Sequence, residues 1–386
     1  MSHKATRRIA LLLGQDLGYS RRVLSGVLNY AESHAMNWIF HNAPPDIRVL
    51  PALERWRPDA ILIHLSDRAL GERLLELGVP MVSVTNTIAG LRVPYVDVDS
   101  QAVGCMAADY FLGLGFRSFA YYGSRKVEFS KNRERGFRAR LEGLGYPVAN
   151  LHADFLPHSP FGQDWSRVDR QTERWLRQLP KPVAVLASND IPARVLCELC
   201  RTAGLRVPDE VSILGVDNDV SECRMSFPAL SSVELPAEQI GREAADALRR
   251  MLDGGELTES AQHMSPLGVI PRSSTDYRAT GDERVKRVLA YIDEFADRGI
   301  SVDDVCRRSG LSRRSLERLF REDLHCTVLE QIQKVRVARA KRLLLETDLR
   351  IGEVAERAGF GNPRQLNRVF RQYEGEAPSM YRTRGG

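Results

Sequence analysis

Arg364, Asn367 and Arg368 carry the side chains that pair with the edges of DNA bases, and they fall together in one short stretch. A guanidinium fits the two acceptors of guanine, and asparagine or glutamine fits the donor and acceptor of adenine. Leu366, Val369 and Phe370 are interleaved with them at the i, i+3, i+4 spacing of a helix with one buried face. That pattern turns the three polar residues outward near a helix N-terminus, the end that reaches base edges in a major groove, and Gln365 stands among them. An earlier set repeats the arrangement, with Arg313, Arg314, Glu317 and Arg318 outward and Leu316, Leu319 and Phe320 inward. Asp190 and Asp217 suggest a different chemistry. Each follows a short apolar run, Val183–Ala187 or Val211–Val216, and is expected at the C-terminal end of a strand, where ligands collect in open α/β sheets. Fixed carboxylates there suit a ligand with several hydroxyls, each of which both donates and accepts.

The elements that must position the first chemistry are doubled. Val302-x-x-Val305-Cys306-x-x-x-Gly310-Leu311-Ser312 lines up with Ile351-x-x-Val354-Ala355-x-x-x-Gly359-Phe360-Gly361. After a one-residue insertion, Leu316–Arg321 lines up with Leu366–Arg371. Each copy reads as helix, glycine turn and helix, which gives two helix-turn-helix units at 302–321 and 351–371. Asn362 suits the N-cap, Pro363 the first helical position, and Gln365 the closing position of a capping box; Ser312 caps the first copy. Between the units, Val328–Glu346 reads as a helix rich in Lys and Arg. If it holds the two outer helices about 34 Å apart, both enter successive major-groove turns on one side of a duplex.

The second chemistry needs strands, and residues 9 to 275 supply them. Apolar runs at Ile9–Leu13, Trp38–His41, Ala60–Ile63, Met81–Val84, Phe119–Tyr122, Val183–Ala187 and Val211–Val216 alternate with helical patterns. Those patterns include Val23–Ser33, Ala102–Leu114, Arg133–Leu144, Asp169–Gln178 and Ile191–Ala203. The alternation predicts βαβ units and mostly parallel sheets with helices on both faces. Beyond the aperiodic segment 276–283, taken as a linker, every expected element is helical. Residues 284–386 hold 22 Lys and Arg against 15 Asp and Glu, a net of +7 in a chain of +5, so residues 1–283 carry −2. A basic helical module on a mildly acidic α/β body is the charge pattern of a nucleic-acid reader joined to a sensor.

Several function classes are disfavoured. No run of about 18 apolar residues exists, and Ile9–Leu13 is too short for a signal peptide, so a cytoplasmic protein without a membrane span is expected. The six cysteines lack disulfide or metal spacing, and Cys197-x-x-Cys200 reads as a buried helix face. No phosphate-binding glycine loop, metal-spaced histidine cluster or nucleophile elbow is present, so neither an enzyme nor a cofactor is expected.

The C-terminal pattern resembles the AraC family of transcription regulators. The residues that carry it are Ile351, Val354-Ala355, Gly359-Phe360, Phe370-Arg371, Gly375, Pro378-x-x-Tyr381-Arg382 and, in the connecting helix, Arg336, Ala340 and Leu343-Leu344. His325 departs from it, since glycine is usual at that turn. Residues 7–275 resemble the periplasmic-binding-protein-like sensor of LacI-type regulators. That likeness rests on Val96-Asp97-Val98-Asp99, Arg135-Gly136-Phe137, Ser188-Asn189-Asp190, Val207–Ser212, Gly215-Val216-Asp217-Asn218, Pro228–Val233 and Arg272–Thr275. The N-terminal helix-turn-helix of that family is not expected, because Ile9 is read as the start of the first strand. Together the resemblances imply a two-lobed α/β sensor, a linker at 276–283 and an all-α DNA-binding domain at 284–386. They imply a homodimer that binds double-stranded operator DNA, and RNA polymerase as a further partner. The effector would be a monosaccharide, a pentose such as xylose or a related sugar. In the sensor, Arg135 would join Asp190 and Asp217, with Asp16 and Tyr19 lining the other lobe. Phe129, Phe155, Phe161 and Trp165 are all open as a stacking face. A sugar-binding protein of transport type is the competing reading, and a sugar-metabolising enzyme a more distant one.

Overall fold

The computed structural model describes residues 6–14, 17–85, 88, 90–153, 165–255, 261–276, 283–324, 326–347 and 349–385. Within the helices, the side chains of 165–169, 283, 286, 290, 293, 323, 342, 345, 346 and 383–385 lie outside that description. The chain forms two compact units, Met1–Tyr277 and Arg278–Gly386.

Unit 1 opens with β1 (Arg7–Leu12), α1 (Gly18–Ser33), β2 (Trp38–Ala43), α2 (Leu50–Trp56), β3 (Ala60–Ile63), α3 (Arg68–Leu75), β4 (Met81–Ser83) and β5 (Tyr95–Val98). It continues through α4 (Ser100–Gly113), β6 (Phe119–Gly123), α5 (Glu128–Glu142), β7 (Val148–His152), α6 (Trp165–Gln178), β8 (Val183–Ala187) and α7 (Asp190–Thr202). Then come β9 (Val211–Asp217), α8 (Val220–Met225), β10 (Ser231–Glu234), α9 (Ala237–Leu252), β11 (Ala261–Met264) and β12 (Gly268–Ile270). Two six-stranded sheets result, ordered β11-β5-β4-β3-β1-β2 and β12-β10-β9-β8-β6-β7. All pairings are parallel except β10 with β12. Helices cover both faces, which is why β3 and β8 are buried at every position and read as unbroken apolar runs.

The order of the sheets shows that the chain passes between the lobes three times: after β5, after β10 and after β11. The first two passages lead into helices packed across from where the chain came. α4 lies on α5, and α9 lies on α1. Both pairs depend on glycine. A Cβ on Gly104 or Gly136 would collide with the backbone of the opposite helix at Arg133 or Gln101, and one on Gly26 or Gly241 with that at Glu238 or Val23. Absence of a side chain therefore sets the close approach of these helices.

Unit 2 is helical: α10 (Glu283–Phe295), α11 (Val302–Ser309), α12 (Arg313–Leu324), α13 (Val328–Glu346), α14 (Ile351–Arg357), α15 (Pro363–Glu374) and α16 (Pro378–Gly385). Its apolar residues form two clusters. One joins α10, α11, α12 and the start of α13 around Phe320, and the other joins the end of α13, α14 and α15 around Phe370. Gly310 and Gly359 take left-handed φ values of 68° and 86°, as the turns inside the doubled pattern demand. Arg336 fastens the middle of α13 to the turn between α10 and α11: its guanidinium is buried and donates to the carbonyls of Ala296 at 2.9 Å and Ile300 at 2.7 Å. His325 lies outside the described residues.

Candidate functional site

The cleft of unit 1 is assembled from the ends of strands and the starts of helices. Asp217 ends β9, and Asp190 is the first residue of α7, immediately beyond β8, so both stand at strand C-termini. Asp190 is enclosed. One oxygen accepts from Ser232 Oγ at 2.6 Å and the other from the Asp219 amide at 2.7 Å. Burial, and then the charge of Asp217, push its carboxyl well above the usual carboxylate range. Gly215 makes room for it, since a Cβ there would overlap Asp190 Oδ1. Asp217 is raised to about 6 by burial, with Arg133 and Arg22 opposing that rise.

Tyr19, in the first turn of α1, lines the same cavity, but its hydroxyl donates to Val84 O at 2.7 Å and burial holds the phenol protonated. Asp16 lies outside the described residues. Arg135 is placed elsewhere: it is exposed and donates to Asn132 Oδ1 at 3.0 Å. The guanidinium in the cleft belongs to Arg133, two residues earlier and about 200° away around α5. Ser130, Arg133, Phe137 and Leu141 are the buried face of that helix, and their i, i+3, i+4 spacing was available in the sequence. Arg133 lies over the Phe129 ring at 4.7 Å, donates to Ser188 O and approaches Asp217 Oδ1 at 3.7 Å. Of the four aromatic candidates, Phe129 lines the cavity; Phe155, Phe161 and the Trp165 side chain lie outside the described residues.

Two polar atoms on the wall have no partner among the described residues: Arg133 Nε, a donor, and Asn189 Oδ1, an acceptor. Each such buried atom costs about 1–3 kcal/mol unless a ligand satisfies it. Thr85, His64 and three further carboxyl groups, those of Asp97, Asp219 and Glu222, line the cavity beside Asp190 and Asp217. Arg194 lies 2.7 Å from Glu222 and Arg21 3.6 Å from Asp219, so most of this charge is already paired, and a wall of paired carboxyl, amide and hydroxyl groups favours a neutral ligand rich in hydroxyls. His64, Asp97, Asn189, Asp219 and Glu222 were not assigned to the site from the sequence, because they come from four separate segments that only the fold brings together.

In unit 2, Arg313, Arg314 and Arg318 are exposed on α12, and Arg364, Asn367 and Arg368 on α15. The first helix is partly self-neutralised, with Arg313 3.4 Å from Asp303 and Arg318 3.9 Å from Glu322. Glu317 is half-buried, with Oε2 enclosed and unpartnered rather than presented to solvent. On α15, Arg364, Arg368 and Arg371 form no ion pair among the described residues. Asn362 caps this helix by accepting from the Gln365 amide at 2.9 Å. Gln365 does not close a capping box on Asn362; its side-chain carbonyl accepts from the Gly361 amide at 3.0 Å. Serving the turn before the helix, it is half-buried and is a poorer base reader than its neighbours.

Comparison with known proteins joins the two halves. Residues 108–275 match the model of a periplasmic binding protein-like domain, and residues 305–384 that of a helix-turn-helix domain. The chain is 30% identical over 384 residues to the xylose operon regulatory protein of Escherichia coli (strain K12), covering 97% of this chain and 96% of that one. It is 28% identical over 382 residues to the protein of the same name from Haemophilus influenzae, covering 97% and 98%. A solved structure of the xylose-binding transcription activator xylR superposes with a TM-score of 0.63 at 28% identity, covering 98% of each chain. The likeness runs through cleft and reader alike, and the chain belongs to the family of xylose operon regulatory proteins, DNA-binding transcription regulators with a sugar-binding-type sensor.

Proposed function

We propose that residues 7–275 bind a neutral monosaccharide, D-xylose or a pentose of similar hydroxyl arrangement, and that 284–386 bind an operator under its control through the linker 276–283. The observation that carries this reading is the pair of unpartnered atoms, Arg133 Nε and Asn189 Oδ1, in a cleft lined with carboxyl, amide and hydroxyl groups. A sugar hydroxyl accepts from the first and donates to the second, while Asp217 and Asp190 take further hydroxyls. The relatives' names supply xylose as the sugar to try first. Among the described residues no helix is long and apolar enough to cross a membrane, which fits a cytoplasmic regulator.

The DNA readers are Arg313, Arg314 and Arg318 of α12 and Arg364, Asn367 and Arg368 of α15. The protein acts as a homodimer, as LacI-type sensors commonly do, and engages RNA polymerase, in keeping with the activator named among its neighbours. The test is calorimetric titration of the full chain with D-xylose and with D-xylose 5-phosphate. Saturable binding of the first and none of the second is expected. Equal affinity for the phosphate ester would refute the neutral-ligand argument, and preference for another neutral monosaccharide would move the effector without moving the site.

A further inference from the structure

Asn218 directly follows Asp217, yet its side chain does not line the cleft. The two residues share an unusual backbone, with φ of 108° at Asp217 and 50° at Asn218, and asparagine tolerates the left-handed region better than most residues. Asn218 bonds in three directions. Its amide donates to Ser232 Oγ at 2.9 Å, and that hydroxyl donates to Asp190 on the cleft floor. Its Nδ2 donates to Glu234 Oε1 at 3.1 Å. Its Oδ1 accepts from Arg272 at 2.7 Å.

Each direction ends somewhere useful. Glu234 Oε1 is 3.4 Å from Arg22 of α1, in the opposite lobe, and Arg22 also donates to the carbonyl of Asp217. The Arg22 contacts bridge the two lobes beside the crossing that follows β10. Arg272 follows β12 near the end of the described part of the sensor. It donates to Leu230 O at 2.8 Å and, from its backbone, to Ser231 Oγ at 2.7 Å. Ser274 and Thr275, just beyond, are buried; Ser274 Oγ donates to Ile213 O at 2.6 Å, and Thr275 is hydrogen-bonded to Ser231 at 2.6 Å and Tyr110 at 2.7 Å. After Asp276 the sequence continues into the linker.

We propose that Asn218 is the positioning residue that couples lobe closure to the exit segment Arg272–Asp276. With the lobes together, Arg22 neutralises Glu234, and the guanidinium of Arg272 rests on the neutral carbonyl of Asn218. When the lobes part, Glu234 loses Arg22 and becomes the stronger partner for Arg272, because a charged acceptor outcompetes an amide. Arg272 then has two discrete arrangements, and cleft closure selects between them. This rests on the sugar-sensing function proposed above.

The test uses the full chain, D-xylose and a duplex selected from a random pool by the wild-type protein. Asn218→Gly tolerates the left-handed backbone and removes both side-chain bonds. Its D-xylose affinity and its sugar-free operator affinity are expected to stay within about threefold of wild type, while the factor by which D-xylose changes operator affinity falls to near one, from the roughly 5–150-fold usual for allosteric coupling. Arg272→Gln breaks the same bond from the other side and is expected to lose the coupling equally, whatever its effect on melting temperature. Variants that melt earlier but keep the wild-type coupling factor would show a structural role only and overturn the proposal. A wild-type chain whose operator affinity ignores D-xylose would overturn both this proposal and the function beneath it.

Discussion

Arg133 and Asp217 define the cleft by opposing each other. Burial raises Asp217 to about 6, a shift of about two units, or at most about 3 kcal/mol of strain on the ionised form. The folded chain therefore binds more protons than the unfolded chain between roughly pH 4 and 6, and this group's contribution to stability falls as pH rises through that window. Asp217→Asn removes the penalty. In thermal denaturation without sugar, this variant is expected to melt higher than wild type at pH 7.5 and to depend less on pH between 5 and 7. An unchanged melting temperature would mean that Asp217 is already paired well enough to bear its charge. The same variant should bind D-xylose at least tenfold more weakly, since a charge-assisted hydrogen bond is worth about 1.5–3 kcal/mol. Asn189→Ala is expected to weaken binding by about 1–3 kcal/mol without lowering sugar-free stability, because it deletes an unpartnered atom rather than a bond.

At the scale of elements, the sequence was legible wherever a pattern was local. The strands at 60–63 and 183–187 and the unit 2 helices α10 to α15 follow from apolar runs, periodicity and caps, and they fall where expected. The short α2, α3, α8 and α16, the strands β5 and β10 and the edge strands β7, β11 and β12 were not foreseen, and neither was α9, despite its buried stripe at Ile240, Ala244, Ala245 and Leu248. What no local pattern encodes is that α9 packs on α1 and α4 on α5, across contacts that glycines set far apart in the chain leave room for. Gly104→Ala or Gly26→Ala is expected to cost about 1–3 kcal/mol through overpacking, measured by urea denaturation, because the new methyl meets backbone rather than a movable side chain. In unit 2, Arg364, Arg368 and Arg371 of α15 form no ion pair among the described residues, whereas Arg313 and Arg318 of α12 do. Arg364→Ala and Arg368→Ala should each weaken operator binding by about 1–3 kcal/mol if they contact bases, while a phosphate contact would instead lower the salt slope by about one. Operator affinity unchanged in a mobility assay would remove either residue from the reading surface. α13, with 19 residues, is about 28 Å long, which is on the scale of the one-turn spacing two recognition helices need.

At the scale of the whole molecule, fold and family were legible because two sets of motifs covered nearly the full chain, whereas the cleft was legible only in part. Asp190, Asp217 and Tyr19 line it; Arg135 does not, because one step of two residues around a helix exchanges the buried face for the exposed one. Function at this scale is a coupling free energy, so it is reciprocal: sugar must change operator affinity by the factor by which operator changes sugar affinity. The most direct test is a calorimetric titration of D-xylose into the full chain, alone and saturated with its selected duplex. Two dissociation constants that differ by roughly fivefold or more are expected, matched by the shift in operator affinity when sugar is present. Identical constants in the two titrations would contradict the coupling.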